Sequence, residues 1–271
     1  MVTMKRACIL AAVLIGLGQM SLAHEFWLEP VAPRVAAGDS IAVTAHIGEM
    51  FDGPEVRNFA SMQRAVDLTL GNITVPVRGE EGQSPAFQAP SLGDGLHVLR
   101  YHSRDHQLTY DDYSKFTEFL AEAGREDLAE AHDARGLSRD NIREVYFRYA
   151  KSLIAVGSGD GADRYLGMPL ELVALNNPYT EPKKKPVRFQ LLFLGEQQAN
   201  AAVHVFIRPT QDEVVSLRLR TDANGEVTVP ADIPGLYMVN AIHILPASPR
   251  METLLGAVWQ SLWASSTYAI E

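Results

Sequence analysis

Alternating apolar and polar positions dominate two long stretches of the chain. In residues 41–47, Ile41, Val43, Ala45 and Ile47 fall on one face of an extended strand. Gly71-Asn72 separates two further strands at 65–70 and 73–78, which is a typical hairpin signal, and another strand is predicted at 96–102. The second stretch predicts strands at 187–194, 203–208, 214–221, 226–229 and 236–245. A final apolar segment, 259–270, is expected to return as a strand to one of the sheets.

Between these stretches the apolar period changes to that of a helix. Helices are predicted at 113–123, 126–135 and 139–154, and they form a helical insertion at about 108–161. A strand at 168–175 and a linker at 177–185 follow, the linker containing prolines and three consecutive lysines. The pattern therefore predicts a mainly β fold, with two Ig-like or prealbumin-like β-sandwich modules at 24–176 and 186–271.

The first 23 residues have the three parts of a secretory signal peptide. Lys5 and Arg6 precede an apolar run at 7–17, and Ser21 and Ala23 are the small residues expected before a cleavage site. The alternative is an uncleaved membrane anchor, but about 11 apolar residues are too few to span a bilayer. The only cysteine, Cys8, lies within this leader. The sequence therefore predicts a periplasmic protein whose mature chain has no cysteine.

Cleavage after Ala23 would leave His24 as the first residue of the mature chain. Its α-amine and its imidazole could then chelate one metal ion, because both nitrogens readily release a proton to a metal near neutral pH. His243 is the candidate third ligand, and His46 and His97 are weaker candidates. Nitrogen ligands suit nickel, cobalt, copper and zinc, and we expect nickel or cobalt.

Other functional classes find little support. The net charge of −9 makes nucleic acid a poor partner. The short catalytic motifs of hydrolases, zinc proteases and nucleotide-binding enzymes are absent, so no catalytic residue is predicted. Lys151 is expected on the solvated face of the third helix, where Glu171 could pair with it.

Several longer motifs resemble one bacterial family. They are His24-Glu25-Phe26-Trp27-Leu28 after the leader, the segments 146–153 and 166–173, and Ala241-Ile242-His243 followed by 259–268. Together they resemble bacterial proteins carrying domain of unknown function 4198, over essentially the whole mature chain. The resemblance implies a periplasmic component associated with nickel or cobalt uptake, and it draws attention to His24, His243 and Lys151. Segments 201–203, 221–225 and 235–237 resemble a prealbumin-like or carboxypeptidase-regulatory-like sandwich.

The resulting hypothesis is a periplasmic protein that captures divalent nickel or cobalt for uptake or handling, with copper and zinc as further candidate metals. Its partners would be the metal ion and a membrane metal transporter, and the sequence predicts no oligomeric state. Two alternatives stay open. One is a metal-free Ig-like interaction module of the envelope, and the other is a histidine-brace copper protein.

Overall fold

The computed structural model describes residues 25–271. Strands account for 49% of the described residues and helices for 11%, so the predicted mainly β fold with sandwich-like layers is confirmed. Within the described residues, no helix has the length and apolar character needed to cross a membrane. The predicted leader and His24 lie outside the described residues.

Strands follow one another along most of the described chain. They are β1 (Glu25–Pro30), β2 (Arg34–Val35), β3 (Ser40–Gly48), β4 (Glu55–Val56), β5 (Gln63–Leu70), β6 (Ile73–Pro76), β7 (Phe87–Pro90), β8 (Gly95–Ser103), β9 (His106–Tyr110), β10 (Ile142–Val156), β11 (Leu170–Ala174), β12 (Val187–Phe193), β13 (Glu196–Gln197), β14 (Ala202–Pro209), β15 (Val215–Arg220), β16 (Glu226–Val229), β17 (Gly235–Pro246) and β18 (Trp259–Ile270). The helices are α1 (Tyr113–Glu122), α2 (Asp127–Ala134) and α3 (Pro249–Leu255), with a short 3₁₀ turn at Ala60–Met62.

The strands of residues 25–271 form three sheets. The largest has ten strands in the order β15-β14-β17-β18-β10-β8-β5-β6, with β2 and β9 also pairing with β10. A four-stranded sheet contains β1, β3, β4 and β7, and another contains β11, β12, β13 and β16. At the centre of the large sheet, β18 runs parallel to β10 and antiparallel to β17. The segment 259–270 therefore returns to a sheet as predicted, and it joins strands from both halves of the chain.

The two smaller sheets cover opposite faces of the large sheet. Val145, Phe147 and Leu153 of β10 pack into one core with β11, β12 and β17. Ala150 and Ile154 of the same strand pack into a second core with β1 and β3. Because successive side chains of a strand point to opposite faces, the two cores lie on the two sides of β10.

The prediction of a third helix at 139–154 was wrong, since these residues belong largely to β10. Ile142, Val145 and Tyr149 fit a helical stripe, but Ala150 and Ile154, which lie outside it, are equally buried. A strand covered on both faces carries apolar residues at nearly every position, and periodicity alone does not separate it from a helix. Lys151 consequently lies in the middle of a sheet and not on a solvated helix.

The helices of the predicted insertion are therefore limited to α1 and α2. Asp112 caps α1, its side chain accepting a hydrogen bond from the backbone nitrogen of Ser114 at 2.8 Å. Phe116, Phe119 and Leu120 of α1 are buried in a third core with Trp263 of β18. This packing fixes the end of α1 next to the large sheet. The module boundaries on either side of 177–185 stay a prediction.

Candidate functional site

A small cavity lies at the start of β1, between the end of α1 and strands β14 and β17. Its volume is about 10 Å³, which leaves room for one water molecule or one monoatomic ion. Its polar side chains come from four distant parts of the chain: Glu25 on β1, Glu122 on α1, His204 on β14 and Asn240 on β17. The fold, and not a local motif, brings these groups together.

The alternation of β1 turns Glu25 towards this cavity. Phe26 and Leu28 pack into the core formed with β3 and the large sheet, so Glu25 takes the other side of its strand. Strand β1 is held in register by antiparallel pairing with β3, in which Glu25 lies opposite Gly48. The position of the Glu25 carboxylate is thus set by the packing of Phe26 and Leu28 on the other side of β1.

A row of polar residues in the large sheet passes beside the first residues of β1. In the sheet register, His204 pairs with Asn240, and Asn240 pairs with Ser265. The hydroxyl of Ser265 donates a hydrogen bond to the carbonyl oxygen of Phe26 at 2.7 Å. This bond ties β1 to the row, so Glu25 is held next to Asn240 and His204.

Two oxygens at this cavity are buried without a hydrogen-bond partner among residues 25–271. They are Oε2 of Glu25, a residue that is 4% exposed, and Oδ1 of Asn240, which is 3% exposed. Leaving such an acceptor unpaired costs about 1–3 kcal/mol, and more for a charged group. Buried polar atoms of this kind are normally satisfied by a water, a proton or an ion.

The carboxyl groups at the cavity favour their protonated forms. Burial raises the pKa of Glu25 to about 8, and the negative charges of Glu122 and Glu49 add to the effect. Burial and the charge of Glu49 raise the pKa of Glu122 to about 7, against the opposing effect of Arg218. A cation between these carboxylates would relieve both the burial and the repulsion.

His204 supplies a nitrogen donor in its neutral form. Burial, and secondarily the positive charge of Arg218, lower the pKa of His204. The imidazole is therefore neutral near pH 7, which is the form that binds metals. The cavity thus combines carboxylate and amide oxygens with a neutral imidazole.

The sequence-predicted ligands lie in different surroundings. His24 precedes Glu25 directly in the chain and is outside the described residues. The ring of His46 stacks on Trp27 with ring centroids 5.1 Å apart. Its Nε2 is 2.9 Å from Oγ1 of Thr44, so that nitrogen is already engaged in a hydrogen bond.

His97 and His243 occupy two further environments. His97 is buried, its Nε2 accepting a hydrogen bond from the backbone nitrogen of Leu92 at 3.0 Å and its Nδ1 donating to the carbonyl of Gly95 at 3.1 Å. His243 stacks on Phe193, with ring centroids 4.2 Å apart. By strand alternation, His243 faces the opposite side of β17 from Asn240.

The three described candidate histidines are therefore not brought to one point. Among residues 25–271, no three His, Cys, Asp or Glu side chains form a group that could hold a metal ion. The cavity at Glu25 would offer enough ligands for a metal ion only with donors from outside these residues. His24, which directly precedes Glu25 in the chain, is the nearest such residue in sequence.

The cavity residues carry only weak signals in the sequence. His204 has the pattern of a surface residue on its strand, and Glu25 stands out only as part of a longer motif. Asn240 is a lone amide between apolar neighbours on β17, which is the most informative signal. Positions 25, 122, 204 and 240 follow no spacing rule, because only the sheet register and the docking of α1 bring them together.

Lys151 belongs to a separate, closed network. Its Nζ lies 2.6 Å from Oε1 of Glu171 and 2.9 Å from Oδ1 of Asp163, and it donates to the carbonyl of Arg164 at 2.9 Å. All three charged side chains are at most 1% exposed. The predicted pairing of Lys151 with Glu171 is present. The network joins β10 to β11 and to the loop between them, which indicates a structural role.

Comparison with protein families identifies the chain. The family model described as "Domain of unknown function (DUF4198)" matches residues 21–245. The chain therefore belongs to this family. No curated protein matches it.

Solved structures give only distant similarities. One is Escherichia coli alpha-2-macroglobulin activated by porcine elastase, at 10% identity and a TM-score of 0.23, covering 92% of this chain and 20% of that chain. Another is the tetra-tandem repeat in the extending region of a large adhesion protein, at 10% identity and a TM-score of 0.22, covering 92% of this chain and 50% of that chain. The chain thus spans half or less of the length of these proteins.

Proposed function

We propose that this member of the DUF4198 family binds a divalent late first-row metal ion, nickel or cobalt, at the start of β1. The protein would capture the ion for uptake or handling in the periplasm. The observation that carries the proposal is the cavity at Glu25, where two buried oxygens lack partners among the described residues beside a neutral imidazole. A bound cation would satisfy these oxygens together.

The size of the cavity supports an ion over an organic ligand. A volume of about 10 Å³ accommodates a single atom but no organic substrate. Carboxylate, amide and imidazole donors suit divalent ions of intermediate hardness. Thiolate ligands, which favour copper(I), have no source in the described residues, since the only cysteine is Cys8.

His24 is the proposed completion of the site. Cleavage after Ala23 would place the free α-amine and the imidazole of His24 directly before Glu25. These two nitrogens would join donors among Glu25, Glu122 and His204 in a mixed nitrogen and oxygen set, since those three residues alone form no group that could hold a metal ion. His204 takes the role that the sequence suggested for His243, because His204 lines the cavity and His243 faces away from it.

The proposed donor set also suits exchange of the ion. The terminal amine and the half-buried carboxyl of Glu122 can each leave the ion without the other. In structural zinc sites, by contrast, four protein ligands, often cysteines, fully enclose the ion. Copper should compete with nickel and cobalt in vitro, since affinity rises from cobalt through nickel to copper. The metal bound in the cell would then depend on supply and on the partner transporter.

Isosteric substitution of the carboxylates tests the proposal. Calorimetric titration of nickel and cobalt into the mature protein should show one tight site, and Glu25→Gln or Glu122→Gln should weaken it by about tenfold or more. Glu118→Gln, on the exposed side of the same helix α1, is the matched control and should bind like the wild type. Unchanged affinity in both cavity variants would overturn the proposal.

Titrations of nickel, cobalt, copper and zinc into the same protein separate the alternatives. A mature protein that binds none of the four metals would favour the metal-free interaction module. Tight binding of copper alone, with oxygen- and reductant-dependent turnover, would favour the histidine-brace protein. Either outcome would replace nickel or cobalt capture.

A further inference from the structure

A lysine and an aspartate lie side by side in the interior, on the face of the large sheet opposite β1. Lys151 shares this face of β10 with Phe147 and Leu153, and Asp163 belongs to the loop between β10 and β11. The Nζ atom of Lys151 lies 2.9 Å from Oδ1 and 3.1 Å from Oδ2 of Asp163. The amine thus contacts both oxygens of the carboxyl group and lies next to its carbon atom, Cγ.

Burial distinguishes this pair from the ion pairs at the surface. The Lys151 and Asp163 side chains are 1% and 0% exposed. Charged groups in such an interior lose most of their favourable hydration. A covalent amide between Nζ and Cγ would remove one positive and one negative charge from the interior, and the water molecule released would pass to solvent. The environment therefore favours the amide over the separate ions.

The hydrogen bonds around Asp163 favour attack at Cγ. Its Oδ1 accepts a hydrogen bond from the backbone nitrogen of Arg164 at 2.8 Å, and its Oδ2 accepts one from the backbone nitrogen of Ala174 at 2.9 Å. Backbone donors aimed at such oxygens stabilise the negative charge that develops when a nucleophile adds to the carbon. They also hold the carboxyl group against the amine, which raises the effective concentration of the two reacting groups.

Glu171 provides a proton acceptor next to the amine. Its Oε1 lies 2.6 Å from Nζ of Lys151, and its side chain is 0% exposed. Its two oxygens also accept hydrogen bonds from the backbone nitrogens of Leu166 at 2.7 Å and Met168 at 2.9 Å, which fix the carboxyl group. A lysine nitrogen attacks a carbon only after losing a proton, and a base within hydrogen-bond reach can take that proton. Glu171 is positioned to take it and to return it later.

We propose that Lys151 and Asp163 become joined by an intramolecular amide bond, which forms in the folded protein without an added reagent. The neutral Nζ of Lys151 attacks Cγ of Asp163, so an Nζ–Cγ bond forms and one Cγ–Oδ bond breaks. The oxygen leaves as water with two protons, both of which come from the lysine ammonium group and one of which passes through Glu171. No atom is oxidised or reduced. The bond fixes the loop between β10 and β11 to the large sheet, and it does not depend on metal binding.

The test is mass spectrometry of the purified protein after denaturation and digestion with trypsin. Trypsin cuts after lysine and arginine, but not after a lysine whose amine is part of an amide. The joined protein therefore yields one peptide, residues 149–164, which is lighter than its sequence by one water molecule. Cleavage of any single bond between residues 151 and 163 of this peptide should release no fragment ion. Separate peptides 149–151 and 152–164, without the loss of water, would overturn the proposal.

The same digest contains two controls. Asp160-Gly161 can also lose water, by closing to a succinimide, but that reaction leaves trypsin free to cut after Lys151. A loss of water from peptide 152–164 would therefore also overturn the proposal. The pair of Lys115 and Asp111 has the same distance of 2.9 Å, but its side chains are 37% and 68% exposed. Trypsin should cut after Lys115, and the peptide containing Asp111 should keep its full mass.

A variant tests the proton transfer. Glu171→Gln keeps the shape of the side chain but removes the base, so a folded variant should yield peptides 149–151 and 152–164. Circular dichroism compares its fold with that of the wild type. A joined 149–164 peptide from the variant would contradict proton transfer through Glu171, whereas the wild-type digest alone decides whether the bond exists.

Discussion

Two buried ionisable residues, Lys151 and Glu25, differ in whether their polar atoms have partners. Lys151 meets two carboxylates and a carbonyl oxygen at distances of 2.6 to 2.9 Å. Glu25 is almost equally buried, yet one of its oxygens has no partner among the described residues. A buried charged network in which every group has a partner indicates a stabilising role. A buried carboxylate that lacks a partner beside a cavity indicates a ligand-binding role. The different roles proposed for Lys151 and Glu25 follow from this contrast.

Removing the charge of Lys151 should destabilise the protein strongly. Lys151→Met would leave Asp163 and Glu171 as buried charges without a cation, which costs about 3–5 kcal/mol. Lys185→Met, which removes a half-exposed lysine paired with Glu181, should cost less than about 1 kcal/mol. Urea unfolding measures both variants. A loss of similar size in the two would show that the buried network contributes little.

Glu144 should make stability depend on pH. Its buried carboxyl accepts hydrogen bonds from Tyr110 Oη at 2.8 Å and from Ser261 Oγ, but burial raises its pKa to about 7. Because the folded state keeps a proton that the unfolded chain releases, stability should fall as the pH rises from about 5 to about 7. Over this pH range the loss should be roughly 2 kcal/mol larger in the wild type than in Glu144→Gln. If the free energy of unfolding changed with pH in the same way in both proteins, the raised pKa assigned to Glu144 would be contradicted.

At the scale of elements, local sequence patterns predicted the positions of strands better than the side of the sheet that each side chain faces. Strands predicted at 187–194, 226–229 and 259–270 are present as β12, β16 and β18, because alternation and turn residues are local signals. The 139–154 segment was misassigned, because a strand covered on both faces has no alternation to recognise. The cavity was missed for a related reason: which histidine faces Glu25 depends on the pairing of β14 with β17 and on the docking of β1.

The sides of the sheet that His204 and His243 face give a direct prediction for nickel binding. His204→Ala should weaken nickel binding by about tenfold or more, because it removes an imidazole at the cavity. His243→Ala should change it by less than about twofold, since that ring stacks on Phe193 on the other face. Calorimetry on folded variants, verified by circular dichroism, makes the comparison. The reverse order would place the ion on the other face of β17.

At the scale of the whole molecule, one sheet joins the two halves of the chain. Strand β18 pairs with β17 over twelve residue pairs and with β10 over nine, so its removal would divide the large sheet. The sequence predicted two sandwich modules from the strand pattern on either side of a proline-rich linker. It could not predict the shared sheet, because parallel pairing between distant strands leaves no local pattern.

The shared sheet predicts cooperative unfolding. Scanning calorimetry of a protein that comprises residues 24–271 should give one transition, with equal calorimetric and van't Hoff enthalpies. Two resolved transitions, one for each predicted module, would mean that the β10–β18 pairing does not couple the halves. Deleting residues 259–271 should abolish folding of both halves, since each half would lose a central neighbour.

The terminal residue provides the most direct test of metal capture. A protein that begins at His24 is compared with a form that retains Ala23, which keeps every side chain but moves the free amine by one residue. In nickel titrations the extended form should bind about 100-fold more weakly, equivalent to about 2.7 kcal/mol, because the chelating amine is lost. Equal affinity of the two forms, with identical circular dichroism spectra, would contradict metal capture at the start of β1.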